Sequence, residues 1–211
     1  MKSYPSIEYH NKGKFGQTCF AFDKIDGSSF RAQFNHKRGF YKFGTRNTII
    51  DKNNNDFADA IDIFLNKYSE SLSKIFFTKE FRNSQDFIVY GEYYGENSFA
   101  GRHRMSDKKD IIIFDINQYK KGFLPPLDFI DKFGHTGIPS IIYHGEYNNE
   151  LIDGVRENKY NLSEGVICKG CSQKNIWMSK IKTKNWLSRV KELHGEKYLL
   201  EELNNDKSLM I

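Results

Sequence analysis

Two short apolar alternations on either side of a charged turn constrain this chain more than any other stretch. Gln17 to Phe34 reads as a strand, the turn Lys24-Ile25-Asp26-Gly27-Ser28, and a second strand in which Phe30, Ala32 and Phe34 alternate with Ser29, Arg31 and Gln33. A period of two puts alternate side chains on opposite faces of a sheet, and it leaves Lys24 at a strand end. The 18 Phe and 12 Tyr, many of them in similar runs, extend the demand for sheet, because aromatic rings pack well on a pleated surface.

Further strands are expected at Phe87 to Tyr94, Ile111 to Ile116, Ile138 to Tyr143 and Ile176 to Thr183. Phe57, Ile61, Phe64, Leu65, Tyr68 and Leu72 recur at helical spacing, which predicts a helix from about Asp56, its cap, to Ser73. A short helix is expected at Leu127 to Phe133, after a Pro-Pro turn. One or two closing helices should span Asn185 to about Asn204, with Gly195 as the break. The sum is a mixed α+β domain, and 211 residues at 38% apolar content can bury a core for it.

No stretch approaches the ~20 continuous apolar residues that span a bilayer, and the start MKSYPSIEYHNKGK lacks the apolar centre of a signal peptide. The expectation is a cytoplasmic protein with no membrane partner. Cys19, Cys168 and Cys171 are too few for a disulfide framework, and no second pair completes a zinc site with the Cys168-x-x-Cys171 spacing. The net charge of +5 is compatible with a polyanionic partner without establishing one. Its distribution is more telling. Lys37, Arg38, Lys42 and Arg46 follow the first turn, Arg102, His103, Arg104, Lys108 and Lys109 follow Glu92, and residues 169–191 hold seven basic side chains. Each cluster alone reads better as a solvated face, and their shared position beside the charged motifs favours a phosphate-lined cleft.

The ordered set Lys24, Arg46, Glu92, Phe114, Glu164, Lys180 and Lys182 resembles the covalent nucleotidyltransferases, and within them the phage-type RNA ligase 2 family and bacterial proteins similar to it. The motifs that carry the resemblance are Lys24-Ile25-Asp26-Gly27, Gly91-Glu92, Ile113-Phe114-Asp115, Glu164-Gly165 and Lys180-Ile181-Lys182, with Tyr4-Pro5-Ser6-Ile7-Glu8 at the start. The resemblance covers nearly the whole chain. It implies an ATP-grasp-like nucleotidyltransferase domain of antiparallel sheets with flanking helices and the nucleotide in the cleft between sheets. Residues 1–211 would form that adenylation domain alone, without a separate C-terminal nucleic-acid-binding domain.

The activity implied is that of an ATP-dependent RNA ligase working through AMP on Lys24. A lysine of ordinary pKa ~10.4 is protonated at neutral pH, and neighbouring positive charge favours the free amine that attack requires. Lys180 and Lys182, two apart on a strand, should share a face and serve that purpose while meeting phosphate. By resemblance, Asp23, Arg46 and Lys169 belong to the nucleotide site, Glu92 meets the ribose and Phe114 stacks on adenine. Glu164 and Asp26 are implied as the metal residues, for magnesium or manganese. The substrate implied is nicked or broken RNA with a 5′-phosphate, with a partner protein supplying any missing grip. Taken singly, Asp26-Gly27 is also a plain turn, Phe114 a core residue and Arg46 a loop cation.

The chain departs from the family at Ser29, where such RNA ligases usually carry Asn, and Lys182-Thr183-Lys184-Asn185 is an alternative alignment for the last motif. A nucleotidyltransferase that modifies another acceptor, a DNA ligase and a binding module without turnover stay open at this point.

Overall fold

The computed structural model describes residues 1–53, 57–96, 106–172 and 175–210. Their contacts divide into two compact units, one holding Met1–Pro5 and the described residues of 27–139, the other Ser6–Asp26 and the described residues of 140–210. In chain order the strands are β1 (Glu8–Tyr9), β2 (Thr18–Lys24), β3 (Ser28–Asn35), β4 (Gly39–Thr45), β5 (Ile49–Ile50), β6 (Asp86–Tyr94), β7 (Asp110–Gln118), β8 (Gly122–Phe123), β9 (Ile141–Glu146), β10 (Gly165–Ser172) and β11 (Asn175–Lys182). The helices are α1 (Ala58–Phe76), α2 (Pro126–Phe133), α3 (Asn149–Arg156) and α4 (Lys184–Glu202).

The first unit is a six-stranded antiparallel sheet in the order β5-β4-β3-β6-β7-β8. Phe30, Ala32 and Phe34 of β3, with Phe87 and Val89 of β6 and Ile111 and Ile113 of β7, bury one face against Ile61, Phe64, Tyr68, Leu72 and Phe76 of α1. The ring of Phe76 stacks on Phe87 with centroids 4.2 Å apart, and Tyr68 donates a 2.9 Å hydrogen bond to the Ile111 carbonyl, which ties the helix to the sheet. Ser29, Arg31, Tyr90 and Glu92 alternate onto the opposite face. A bulge between Tyr90 and Gly91 breaks the run of β7, and Phe114 is left half-buried, edge-on to Tyr4 at 5.0 Å, outside the α1 core.

The second unit is a five-stranded sheet in the order β1-β11-β10-β2-β9, antiparallel except for β1 beside β11. Cys19, Ala21, Val166, Cys168 and Ile181 pack one face against Leu151, Ile152 and Val155 of α3. Trp186, Leu187, Val190 and Leu199 of α4 gather with Tyr9, Leu203 and Leu209 in a smaller cluster.

The expected strands and helices form, with differences that have local causes. The two strands flanking the Lys24 turn enter different sheets. The strand expected from Ile138 begins at Ile141, because Pro139 has no N–H to give a ladder. Helix α1 continues to Phe76, and its expected cap Asp56 lies outside the described residues. The Gly- and charge-rich stretch between β6 and β7, 95–109, lies largely outside them too, over 97–105. Gly195 breaks α4 as expected, at φ 85° and ψ 168°. Helix α3 was not anticipated; the Asn148 side chain caps it by accepting from the Leu151 N–H at 3.0 Å. Asn148→Ala should therefore cost about 1 kcal/mol in chemical denaturation. Among the described residues no helix is long and apolar enough to cross a membrane.

Candidate active site

Register places the lysines of the five-stranded sheet on one face. Lys24 of β2 and Lys182 of β11 both stand opposite Gly165 of β10, forming one row across three strands. Phe22, Ile167 and Lys180 make the next row, and Phe20, Lys169 and Met178 the one after it. Cys19, Ala21, Val166, Cys168 and Ile181 take the alternate positions and face α3, so Lys24, Lys169, Lys180 and Lys182 share the other face.

Gly165 is where the row closes up. A Cβ built there would lie 2.0 Å from the Ile181 carbonyl oxygen, so only glycine admits this approach of β10 to β11. Its neighbour Glu164 is fixed by the Thr183 N–H, which donates to the Glu164 carbonyl at 2.9 Å. The Glu164 carboxylate then reaches both ends of the row: Oε2 accepts from Lys24 Nζ at 2.9 Å and Oε1 from Lys182 Nζ at 2.9 Å. Glu164 and Lys182 are 3% exposed at the side chain and Lys24 is 24% exposed. Burial raises the Glu164 carboxyl, but Lys24 and Lys182 outweigh it and hold it below the ordinary carboxylate range.

Lys182 has two further neighbours. Its Nζ donates to Glu202 Oε1 of α4 at 2.7 Å and lies 3.5 Å from the centroid of the Trp186 ring. Lys180 Nζ stands 4.0 Å over the ring of Tyr9, whose hydroxyl donates to the Glu202 carbonyl at 2.9 Å. Burial, and then the charge of Lys182, lowers the Lys180 ammonium to about 8. Lys169 is buried, 5.4 Å from the Phe22 ring centroid. Lys184, the cation of the alternative alignment, leaves β11 for the first turn of α4 and pairs with Glu157 at the surface.

Asp23 alternates onto the α3 side of β2, with Oδ1 buried and without a hydrogen-bond partner among the described residues. Burial and then Glu164 raise its carboxyl. Asp26 is buried just after β2. Glu92 and Phe114 belong to the six-stranded sheet, with Ser29 directly opposite Glu92, and Arg46 is exposed after β4. Tyr9, Trp186 and Glu202 complete the surroundings of Lys180 and Lys182. The signal that could find Trp186 is its place four residues beyond Lys182, where the resembled family has an aromatic residue; Tyr9 and Glu202 carry none.

Chemically, the second unit offers a shared face of four cations with one buried carboxylate bridging two of them, an arrangement suited to polyphosphate. Among the described residues no group of three or more His, Cys, Asp or Glu is placed to hold a metal ion. The residues present therefore fit a divalent cation only when phosphate and water supply its remaining ligands.

A family model described as RNA ligase matches residues 17–191. No curated protein matches the chain. Among solved structures, a mutant RNA ligase of Naegleria gruberi with ATP and Mn is similar at 18% identity and a TM-score of 0.65, over 90% of this chain and 58% of that one. Another mutant of that ligase, with AMP and Mn, is similar at 17% identity and a TM-score of 0.67, over 90% and 59%. An archaeal ATP-dependent RNA ligase is similar at 14% identity and a TM-score of 0.64, over 90% and 50%. These likenesses establish the fold, and the chain spans between 50% and 59% of the length of the chains in those three structures.

Proposed function

The chain belongs to the RNA ligase family, and from that membership we propose that it is an ATP-dependent RNA ligase in which Lys24 carries AMP. The observation that supports this reading best is the Glu164 carboxylate bridging Lys24 and Lys182, beside a glycine that tolerates no side chain.

In the first step Lys24 Nζ attacks the α-phosphorus of ATP. An N–P bond forms, the bond from the α-phosphorus to the bridging oxygen breaks, and pyrophosphate leaves. A 5′-phosphate oxygen of RNA then attacks the phosphorus of lysyl-AMP and frees the lysine. Finally a 3′-hydroxyl attacks the 5′-phosphorus, loses its proton and expels AMP. Lys169, Lys180 and Lys182 stabilise phosphate charge throughout, and fixed charges of this kind cost no reorganisation during reaction. Attack needs Lys24 as the free amine, whereas the Glu164 contact at 2.9 Å favours the ammonium, so Glu164 must release Lys24 first. Glu164 and Asp26 would hold magnesium or manganese, which supplies charge neutralisation to the triphosphate. Glu92, Phe114, Arg46 and Asp23 are proposed as the ribose, adenine, phosphate and nucleotide contacts that the family resemblance assigns to them.

Lys180 gives the reaction a pH dependence. Its ammonium is charged below about 8, so pyrophosphate affinity should fall as pH rises from 7 to 9. Lys180→Met should bind more weakly at pH 7 and show a flatter limb, read by calorimetric titration. Stability runs the other way: between about 8 and the ordinary lysine value the unfolded chain holds the extra proton, so folding is favoured as pH rises through that window.

The function is tested by incubating the protein with ATP, magnesium and RNA bearing a labelled 5′-phosphate and an adjacent 3′-hydroxyl at a nick. A joined product with the label protected from phosphatase is the expected result. An AMP adduct that never joins RNA, alone or with a partner protein, would point to another acceptor.

A further inference from the structure

The Lys182 ammonium is fully engaged. It has three N–H donors, and among the described residues they meet Glu164 Oε1 at 2.9 Å, Glu202 Oε1 at 2.7 Å and the Trp186 ring, whose centroid is 3.5 Å away. A phosphate oxygen can reach Lys182 only by taking the place of one of them.

The three are not equally replaceable. Glu164 is 3% exposed and its carboxylate is held by Lys24 as well as Lys182, and the Trp186 ring is buried in the α4 cluster. Glu202 is 28% exposed at the side chain and lies in the last turn of α4, beyond the Gly195 break. The Tyr9 hydroxyl anchors this turn by donating to the Glu202 carbonyl at 2.9 Å and reaches Glu202 Oε1 only at 3.5 Å, so displacing the carboxylate gives up the longer contact while the helix stays anchored.

We propose that Glu202 is an internal stand-in for phosphate: its carboxylate occupies Lys182 in the nucleotide-free protein and is displaced by a phosphate group of the incoming nucleotide. Glu202 is then a specificity-determining residue of the nucleotide site. Ligands that need Lys182 must displace it, and ligands without phosphate need not. The inference rests on the reading of Lys182 as a phosphate contact.

Binding of ATP, pyrophosphate and adenosine to the full chain tests it, by calorimetry with magnesium, ATP being measured in Lys24→Ala backgrounds so that no adduct forms. Glu202→Gln should bind ATP and pyrophosphate roughly tenfold more tightly and leave adenosine unchanged. Glu202→Asp, which keeps the charge but withdraws the carboxylate by one methylene, should tighten binding in the same sense. Glu201→Gln, the same loss of charge at an exposed neighbour, should change binding less than twofold. Thermal melts of each variant report folding. Unchanged or weaker ATP and pyrophosphate binding by folded Glu202→Gln, with wild type still binding, overturns the stand-in role alone. Equal tightening by Glu201→Gln also overturns it, in favour of a general field effect. Failure of every folded variant and of wild type to bind ATP or pyrophosphate overturns the nucleotide-site reading with it.

Discussion

Gly165→Ala is expected to abolish formation of the AMP adduct and to destabilise the chain by roughly 3 kcal/mol, the upper range for forcing extra atoms into packed structure. The added methyl would stand 2.0 Å from the Ile181 carbonyl oxygen and 2.8 Å from the Lys182 Cα. Both contacts are with backbone, so no side-chain rotation relieves them. The residue also has φ at +157°, at the margin of the conformations that side chains disfavour. β10 must move from β11 at the point where Glu164 spans Lys24 and Lys182, so stability and activity should fail together. Urea denaturation read beside adduct formation checks this. A folded variant with an undiminished adduct would mean that the Glu164 bridge between Lys24 and Lys182 is not needed.

Glu164→Ala should be of similar size and separate causes. It leaves Lys182, 3% exposed, with Glu202 as its remaining carboxylate, and loss of one partner from a buried pair costs roughly 3–5 kcal/mol. The lower end is expected here because Glu202 persists. Adding Lys182→Met should cost less than the sum of the two single changes, since the stranded charge is removed as well. Acidification supplies a second readout. The folded Glu164 carboxyl lies below its unfolded value, so its stabilisation is present above the unfolded value and is lost as pH falls through the folded one. The acid limb of the stability profile should be shallower in Glu164→Ala.

The sequence pattern disclosed strands through alternation and the last helix through its glycine. Lys180 and Lys182 could be placed on one face from spacing alone, because a strand admits no other arrangement for residues two apart. Phe114 could not be placed, since Ile111-Ile112-Ile113-Phe114 is apolar without a period and the bulge that turns Phe114 away from α1 arises in pairing with β6. Helix α3 is eight residues long and contains Gly154, too short to repeat a pattern. β1 is two residues, and its parallel register beside Ser179 and Lys180 has no local signature. The Glu202 contact was hidden for the same reason: it joins residues 20 apart across the Gly195 break, and only the packing of Tyr9, Trp186 and Leu199 brings them together.

Adduct formation tests Lys24 as the carrier of AMP most directly. Wild type and Lys24→Ala, first treated with pyrophosphate to strip bound AMP and then freed of it, are incubated with α-labelled ATP and magnesium and resolved on a denaturing gel. A labelled wild-type band, acid-labile, one AMP heavier by mass and missing from Lys24→Ala, is the predicted result. A label of equal strength in Lys24→Ala, or none in folded wild type, would contradict it.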